Sequence, residues 1–230
     1  MKMENIKNKI RPIRSYVLRQ GRLTKHQSEA IQNFGDELII PLADELISWD
    51  SIFPLQKNEI ILEIGFGMGD STADIAFNLP HINFIGIEVH SPGVGNLINK
   101  IKELDISNLK IIQHDAVEVI EKMIADRSLD GIHIFFPDPW HKKRHNKRRL
   151  IKADFLNKLA LKLKEKAYIH IATDWEDYAD WILDESSQCK NLSLKGNKFH
   201  NKPDYRPYTK YEKRGINLGH KVWDIIFLKC

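Results

Sequence analysis

Ile60-Ile61-Leu62-Glu63-Ile64-Gly65-Phe66-Gly67-Met68-Gly69-Asp70-Ser71 joins a short apolar run to three glycines at alternate positions. The apolar run predicts a strand, and the glycines let the backbone turn sharply and approach a ligand with no Cβ in the way. Working outward, further apolar runs lie at 83–89, 109–113, 131–136 and 167–172. They alternate with amphipathic stretches at 71–79, 96–104, 116–124 and 153–163. This alternation predicts an α/β fold of the Rossmann-like kind, a mostly parallel sheet buried on both faces under crossover helices. An amphipathic stretch at 175–186 follows the fifth strand. A late strand at 221–228, paired with 192–194 after a long basic loop, predicts an antiparallel carboxyl-terminal edge.

The glycine spacing is G-x-G-x-G. A dinucleotide loop reads G-x-G-x-x-G and sets a pyrophosphate on a helix N-terminus. Glu63 before the loop and Asp70 after it repel a pyrophosphate but suit a methionine ammonium, which favours S-adenosylmethionine over NAD. Glu88, at the end of the second strand, is placed to accept hydrogen bonds from ribose hydroxyls. Asp115, beside His114 at the end of the third, is placed near an adenine. Glu63, Gly65, Gly67, Gly69, Glu88 and Asp115 all fall on the one sheet edge where open α/β folds bind ligands.

The chain has 230 residues, 42% hydrophobic and 29% charged, which suits one large domain with appendages and excludes wholesale disorder. Cys189 and Cys230 are far apart and outside any C-x-x-C spacing, so neither a disulfide framework nor a thiolate zinc site is expected. No apolar run approaches the roughly 20 residues that span a bilayer, and a cytoplasmic protein with no membrane association is expected. The net charge of +4 is unevenly spread. Segments 1–28, 141–149 and 190–221 carry +7, +6 and +7, so the remainder carries 4 − 20 = −16. Three basic segments on an acidic body point to a polyanionic partner. Residues 1–28 read as a basic arm, free to move until a partner binds, and 29–230 as a single domain.

The fourth strand runs into Phe135-Phe136-Pro137-Asp138-Pro139-Trp140, where two prolines stiffen the backbone around an acid and the aromatics offer stacking faces for a base. His141-Lys142-Lys143-Arg144-His145-Asn146-Lys147-Arg148-Arg149 follows at once, with six cations and no acid, which suits nucleic-acid phosphates. His141 and His145 stand four apart but lack a nearby carboxylate third ligand, so no metal is expected.

These residues resemble the bacterial tRNA (guanine-N7-)-methyltransferases, which methylate a guanine in the tRNA variable loop with S-adenosylmethionine. The resemblance lies in 63–69, Gly86-Ile87-Glu88-Val89-His90-Ser91-Pro92-Gly93, His114-Asp115-Ala116, 135–149, Ala172-Thr173-Asp174-Trp175 and 209–224. It extends to Arg19-Gln20-Gly21-Arg22-Leu23-Thr24. It implies Glu63, Glu88, Asp115 and Asp138 as cofactor contacts, Asp138 also as the catalytic residue, and Lys142 and Asp174 as substrate contacts. It further implies Arg144, His145, Asn146, Lys147, Arg148 and Arg149 as the RNA-contacting stretch, and Thr209, Lys210, Tyr211 and Glu212 as a carboxyl-terminal substrate motif. Tyr211 stands where phenylalanine is commoner, which leaves the aromatic face intact. Two alternatives stay open on the residues themselves. One is a methyltransferase acting on an exocyclic amine, and the other is an RNA-binding module with a vestigial cofactor pocket. The sequence does not choose between monomer and homodimer.

Overall fold

In the computed structural model, residues 13–17, 21–54, 59–217 and 219–230 are described; the side chains of Lys210 and Tyr211 lie outside that description, as do Arg19 and Gln20 of the amino-terminal motif. The chain forms α1 (Lys25–Leu38), α2 (Trp49–Ile52), β1 (Glu59–Ile64), α3 (Asp70–Asn78), β2 (Ile82–Ile87), α4 (Ser91–Glu103), β3 (Leu109–Ile112) and α5 (Ala116–Lys122). These are followed by β4 (Leu129–Phe135), a 3-10 helix (Lys143–Arg148), α6 (Ala153–Lys162), β5 (Leu163–Thr173), α7 (Glu176–Ser186), β6 (Leu192–Leu194), α8 (Lys210–Asn217) and β7 (Trp223–Lys229).

The sheet has seven strands in the order β3-β2-β1-β4-β5-β7-β6. β1 to β5 are mutually parallel, and β7 runs antiparallel to both β5 and β6. The order reverses at β1 and β4, which puts the switch point beside the glycine loop. β7 lies inside the sheet and the three-residue β6 forms its margin.

Alternate residues of each strand feed two cores. Ile60, Leu62 and Ile64 of β1 pack with α5, α6 and α7 on one face. Ile61 and Phe84 pack with α1, α3 and α4 on the other. On that second face, among the described residues, the 199–212 region, which runs into α8, lies over β4, β5 and β7, with Tyr205 stacked on His133 at 5.3 Å between ring centroids. There the strands depart from continuous apolar character: His133, His170 and Asp224 point to this side and are buried.

Helix α1 crosses the expected boundary at residue 28. Thr24 accepts from the Gln27 amide while the Gln27 side chain accepts from the Thr24 amide, a capping box that starts the helix. α1 packs on α4 at Gly95, where an added Cβ would come within 2.6 Å of the Gln27 carbonyl oxygen. α4 itself begins five residues before the amphipathic stretch read from sequence, with Pro92 in its first turn.

Candidate active site

The loop after β1 holds Gly65, Gly67 and Gly69 at φ of 77°, 59° and 74°, all in the left-handed region that residues with a Cβ disfavour. Gly65 donates its amide to Ile87 O at 2.8 Å and Gly69 donates to Phe66 O at 2.9 Å. Gly67 donates to Glu88 Oε2 at 2.8 Å, while Glu88 Oε1 accepts from the amides of Val89 (2.6 Å) and His90 (3.0 Å). Glu88 thus ties the ends of β1 and β2 together. Gly93 in α4 allows the closest approach, since a Cβ there would lie 1.9 Å from Gly67 O. Gly93→Ala is therefore expected to push the loop off α4 and weaken cofactor binding by about tenfold or more, with a stability loss of about 1–3 kcal/mol. Calorimetric titration with S-adenosylmethionine, paired with a thermal melt, checks this.

Gly65, Gly67, Glu88, His114, Asp115 and Asp138 line one cavity of about 270 Å³, together with Ile64, Ile87, Phe136 and Leu150. Five of the sequence-predicted cofactor residues therefore meet at one site. Cβ atoms built on Gly65 and Gly67 would meet nothing within 4 Å, so these two glycines serve left-handed geometry and leave open space for a ligand. An acid-lined glycine cradle with an apolar floor fits the sulfonium nucleoside better than a pyrophosphate. Glu63 and Gly69 stand behind the cavity. Gly69 is buried against Leu97, and Glu63 is 3% exposed. Burial pushes the Glu63 carboxyl up to about 7, with Thr72 opposing and the charge of Glu88 adding to the rise. Asp70 does not line the cavity and pairs with Lys100 at 3.0 Å, which offsets its charge.

Ser15 and Tyr16 also line the cavity, which no local pattern in the sequence signalled. Trp140 Nε1 donates to Ser15 O at 3.0 Å and Arg148 Nε donates to Arg14 O at 3.2 Å, so residues 14–16 are held across the cavity mouth.

The segment after β4 is bracketed by two left-handed residues, Phe136 at φ 52° and Trp140 at φ 47°. With Pro137 and Pro139 between them, this costs strain that the fold sustains, a pattern of functional segments. Phe136 donates its amide to Ala172 O at 2.7 Å, which anchors the turn to β5. Asp138 is exposed at the cavity mouth. Partial burial of its carboxyl raises its pKa, and Arg148 and His141 oppose the rise. A second cavity of about 280 Å³ opens on its other side, lined by Asp138, Pro139, Trp140, His141, Lys142 and His145. Asp138 is thus common to both cavities, and the Arg148 guanidinium lies 4.3 Å from the Trp140 ring centroid.

The basic stretch divides by burial. Lys142, Arg144 and Lys147 are exposed. His145 has its pKa lowered by burial and by its cationic neighbours, which disfavours its charged form. Asn146, with its amide oriented by its own hydrogen bonds, donates to Trp140 O (3.0 Å) and Lys142 O (3.2 Å), and so shapes the loop. Arg149 departs from the expectation of an RNA contact. It is 2% exposed, pairs with Asp177, donates to Pro139 O at 2.9 Å, and lies over the rings of Tyr178 and Trp181. Its cation is turned inward and fastens the Asp138 loop to α7.

Asp174 is exposed at the carboxyl end of β5, next to Trp175, whose ring meets His141 edge-on at 4.1 Å. Thr209 and Glu212 form a reciprocal cap at the start of α8. Glu212 N donates to Thr209 Oγ1 (3.0 Å) and Thr209 N donates to Glu212 Oε2 (3.3 Å). Glu212 is 4% exposed and its carboxylate is engaged by Arg206, so in this state it is not free to meet a base. Lys210 and Tyr211 lie on α8, and their side chains fall outside the described residues. Among the described residues no cluster of three or more metal-ligating side chains occurs, and no helix is long and apolar enough to cross a membrane.

Comparison with known proteins places these features in a family. Residues 57–225 match a family model described as "Putative methyltransferase". A tRNA (guanine-N(7)-)-methyltransferase of Methylobacillus flagellatus is 58% identical over 217 residues, covering 94% of this chain and 91% of that protein. Among solved structures, the 16S rRNA methyltransferase KamB superposes with a TM-score of 0.58 at 13% identity, over 80% of this chain and 94% of that one. A 16S rRNA (adenine(1408)-N(1))-methyltransferase from Catenulisporales acidiphilia, solved with its cosubstrate SAM, gives 0.54 at 14% identity, over 79% and 89%. Those two structures share the fold, while the sequence likeness runs through the glycine cradle, the Asp138 loop and the carboxyl-terminal motif alike: the chain belongs to the tRNA (guanine-N(7)-)-methyltransferase family.

Proposed function

We propose that this protein transfers the methyl group of S-adenosylmethionine to N7 of a guanine in the variable loop of tRNA. The observation that carries the reading is that Asp138 belongs at once to the acid-lined glycine cavity and to the cavity beneath the exposed cations. When bound, S-adenosylmethionine supplies an electrophilic methyl on a sulfonium. Guanine N7 has an in-plane lone pair and carries no proton, so the chain need not supply a general base. Its task is alignment and charge. The purine gains positive charge as N7 is alkylated, and Asp138 at the shared mouth stabilises it electrostatically. Lys142 and Asp174 at the same edge, with 209–212, bind the nucleotide, and an acid among them accepts the N1 and N2 hydrogens that adenine lacks.

Arg144, Lys147 and Arg148 hold phosphates, and residues 14–16 help grip the RNA beside the cavity they cover. On this reading the reaction is cytoplasmic and belongs to a single methyltransferase domain carrying a basic amino-terminal arm. The test is incubation of purified protein with total tRNA and labelled cofactor, followed by nucleoside analysis. Labelled 7-methylguanosine is the expected product; methyl on an exocyclic amine, or no cofactor binding by calorimetry, overturns the reading.

The burial of Arg149 sharpens a second measurement. Replacing Arg144, Lys147 and Arg148 together by alanine is expected to weaken tRNA binding and reduce the slope of log affinity against log salt by about 2–3. Arg149→Ala is expected to leave that slope unchanged and to destabilise the fold by roughly 2–3 kcal/mol, because it removes packing and a buried hydrogen bond while exposed Asp177 stays solvated. Filter binding across a salt series and thermal melts separate the two.

A further inference from the structure

Arg206 belongs to a long basic segment and would be counted with its surface charge. Instead its side chain is 1% exposed, between the start of α8 and Asp224 of β7. Four of its five N–H donors are placed. Nη1 donates to Glu212 Oε2 and Nη2 to Glu212 Oε1, both at 2.8 Å. Nε donates to Asp224 Oδ1 at 2.8 Å and Nη2 to Asp224 Oδ2 at 2.9 Å. One planar fork therefore grips two carboxylates bidentately, one at the start of α8 and one on β7.

The fork is itself held from behind. Asp224 Oδ1 lies 2.7 Å from His170 Nε2, and Tyr205 Oη lies 2.7 Å from His170 Nδ1. Burial lowers the pKa of His170 and keeps it neutral, although Asp224 opposes this. A carboxylate only accepts, so His170 donates from Nε2 and Nδ1 accepts the Tyr205 O–H. Burial pushes the Asp224 carboxyl up, but the bonds from His170 and Arg206 outweigh it and hold it below the ordinary carboxylate range. The chain of bonds runs from a β5 side chain through β7 to α8.

The guanidinium also lies 5.5 Å from the Phe136 ring centroid and 5.9 Å from that of Phe135. Phe136 lines the cofactor cavity and is the left-handed residue that aims Pro137-Asp138. Arg206 thus touches the two segments that flank the substrate: the loop that presents Asp138, and the capped turn of Thr209 and Glu212.

We propose that Arg206 is a positioning residue for methyl transfer, fixing the Asp138 loop and the 209–212 turn in mutual register without itself touching the purine. This rests on the tRNA methyltransferase reading above. A lysine would keep the charge but could not hold two carboxylates bidentately.

Arg206→Lys is expected to lower kcat/KM for tRNA by on the order of a hundredfold, the scale of a slight misplacement of reacting groups. tRNA affinity by filter binding and S-adenosylmethionine affinity by calorimetry should each stay within about threefold of wild type, since phosphate and cradle contacts lie elsewhere. Amide exchange in 209–217 should accelerate while that of α4 does not, a readout independent of activity. Asp224→Asn, which loosens the fork at the end away from α8, should shift the same quantities in the same direction and serves if the lysine variant fails to fold. Wild-type kcat/KM in a folded variant, or parallel loss of all three quantities, would overturn the assignment. Absence of methyl transfer by the unaltered protein instead overturns the activity reading, and the exchange measurement still tests the fork.

Discussion

Asp138→Ala is expected to bind S-adenosylmethionine within about threefold of wild type and to transfer methyl roughly 10²–10³ times more slowly, the scale of losing one group that stabilises developing charge. The cofactor cavity keeps Gly65, Gly67, Glu88 and Asp115 when the Asp138 carboxylate is removed, so its grip on the nucleoside survives. What disappears is the negative charge at the mouth that both cavities share. Two flanking prolines and two left-handed residues hold the backbone there, so the loop itself should keep its course when the side chain is shortened. Single-turnover measurements with saturating cofactor and tRNA isolate the step. Unchanged turnover would remove Asp138 from the reaction, and a matching collapse of cofactor affinity would make it a binding residue only.

A second large effect concerns Glu63. Its folded pKa of about 7 stands above its ordinary 4.5, because burial penalises the charged form. A raised acid contributes its stability in full below about 4.5 and loses it as pH climbs through about 7. Glu63→Gln should therefore leave stability near wild type at low pH and raise it at pH 8 by on the order of 3 kcal/mol, or several degrees in thermal midpoint. The same substitution removes a negative charge beneath the cradle, so affinity for the cationic cofactor should fall. Wild-type affinity should also rise between pH 6 and 8 as Glu63 ionises, and that rise should be missing in the variant. Melts and titrations at several pH values check both arms. A variant that keeps the wild-type pH trend would place the titration elsewhere.

Much of this was legible in the sequence wherever the signal was local. The five parallel strands fall where the apolar runs lie, because a strand buried on both faces has little room for polar residues. Pro92, Gly93 and Gly95 masked the start of α4, although proline in the first turn is a helix signal and the glycines serve close approaches to Gly67 O and to α1. α1 went unread because only Ala30, Gly35 and Leu38 of it are buried. The larger misreadings concern charge. Arg149 and Arg206 sit among basic neighbours, and only partners far along the chain, at 177–181 and at 224, reveal them as buried. One signal was present: His133, His170 and Asp224 each place a polar side chain in an otherwise apolar strand, and the sheet register sets them on one face.

The place of β7 has a consequence for biosynthesis. Among the described residues β6 pairs with β7 alone, and one of the two carboxylates that Arg206 grips, Asp224, lies on β7, so the sheet margin and half of the fork wait for residues 223–229 to leave the ribosome. Every residue that lines the cofactor cavity lies at or before Leu150, so the chain has made the whole of that lining before it makes Asp224. Translation therefore delivers the parts of the donor pocket before the clamp on the 209–212 turn, and a truncation within the last strand would spare every lining residue of the first while deleting an anchor of the second.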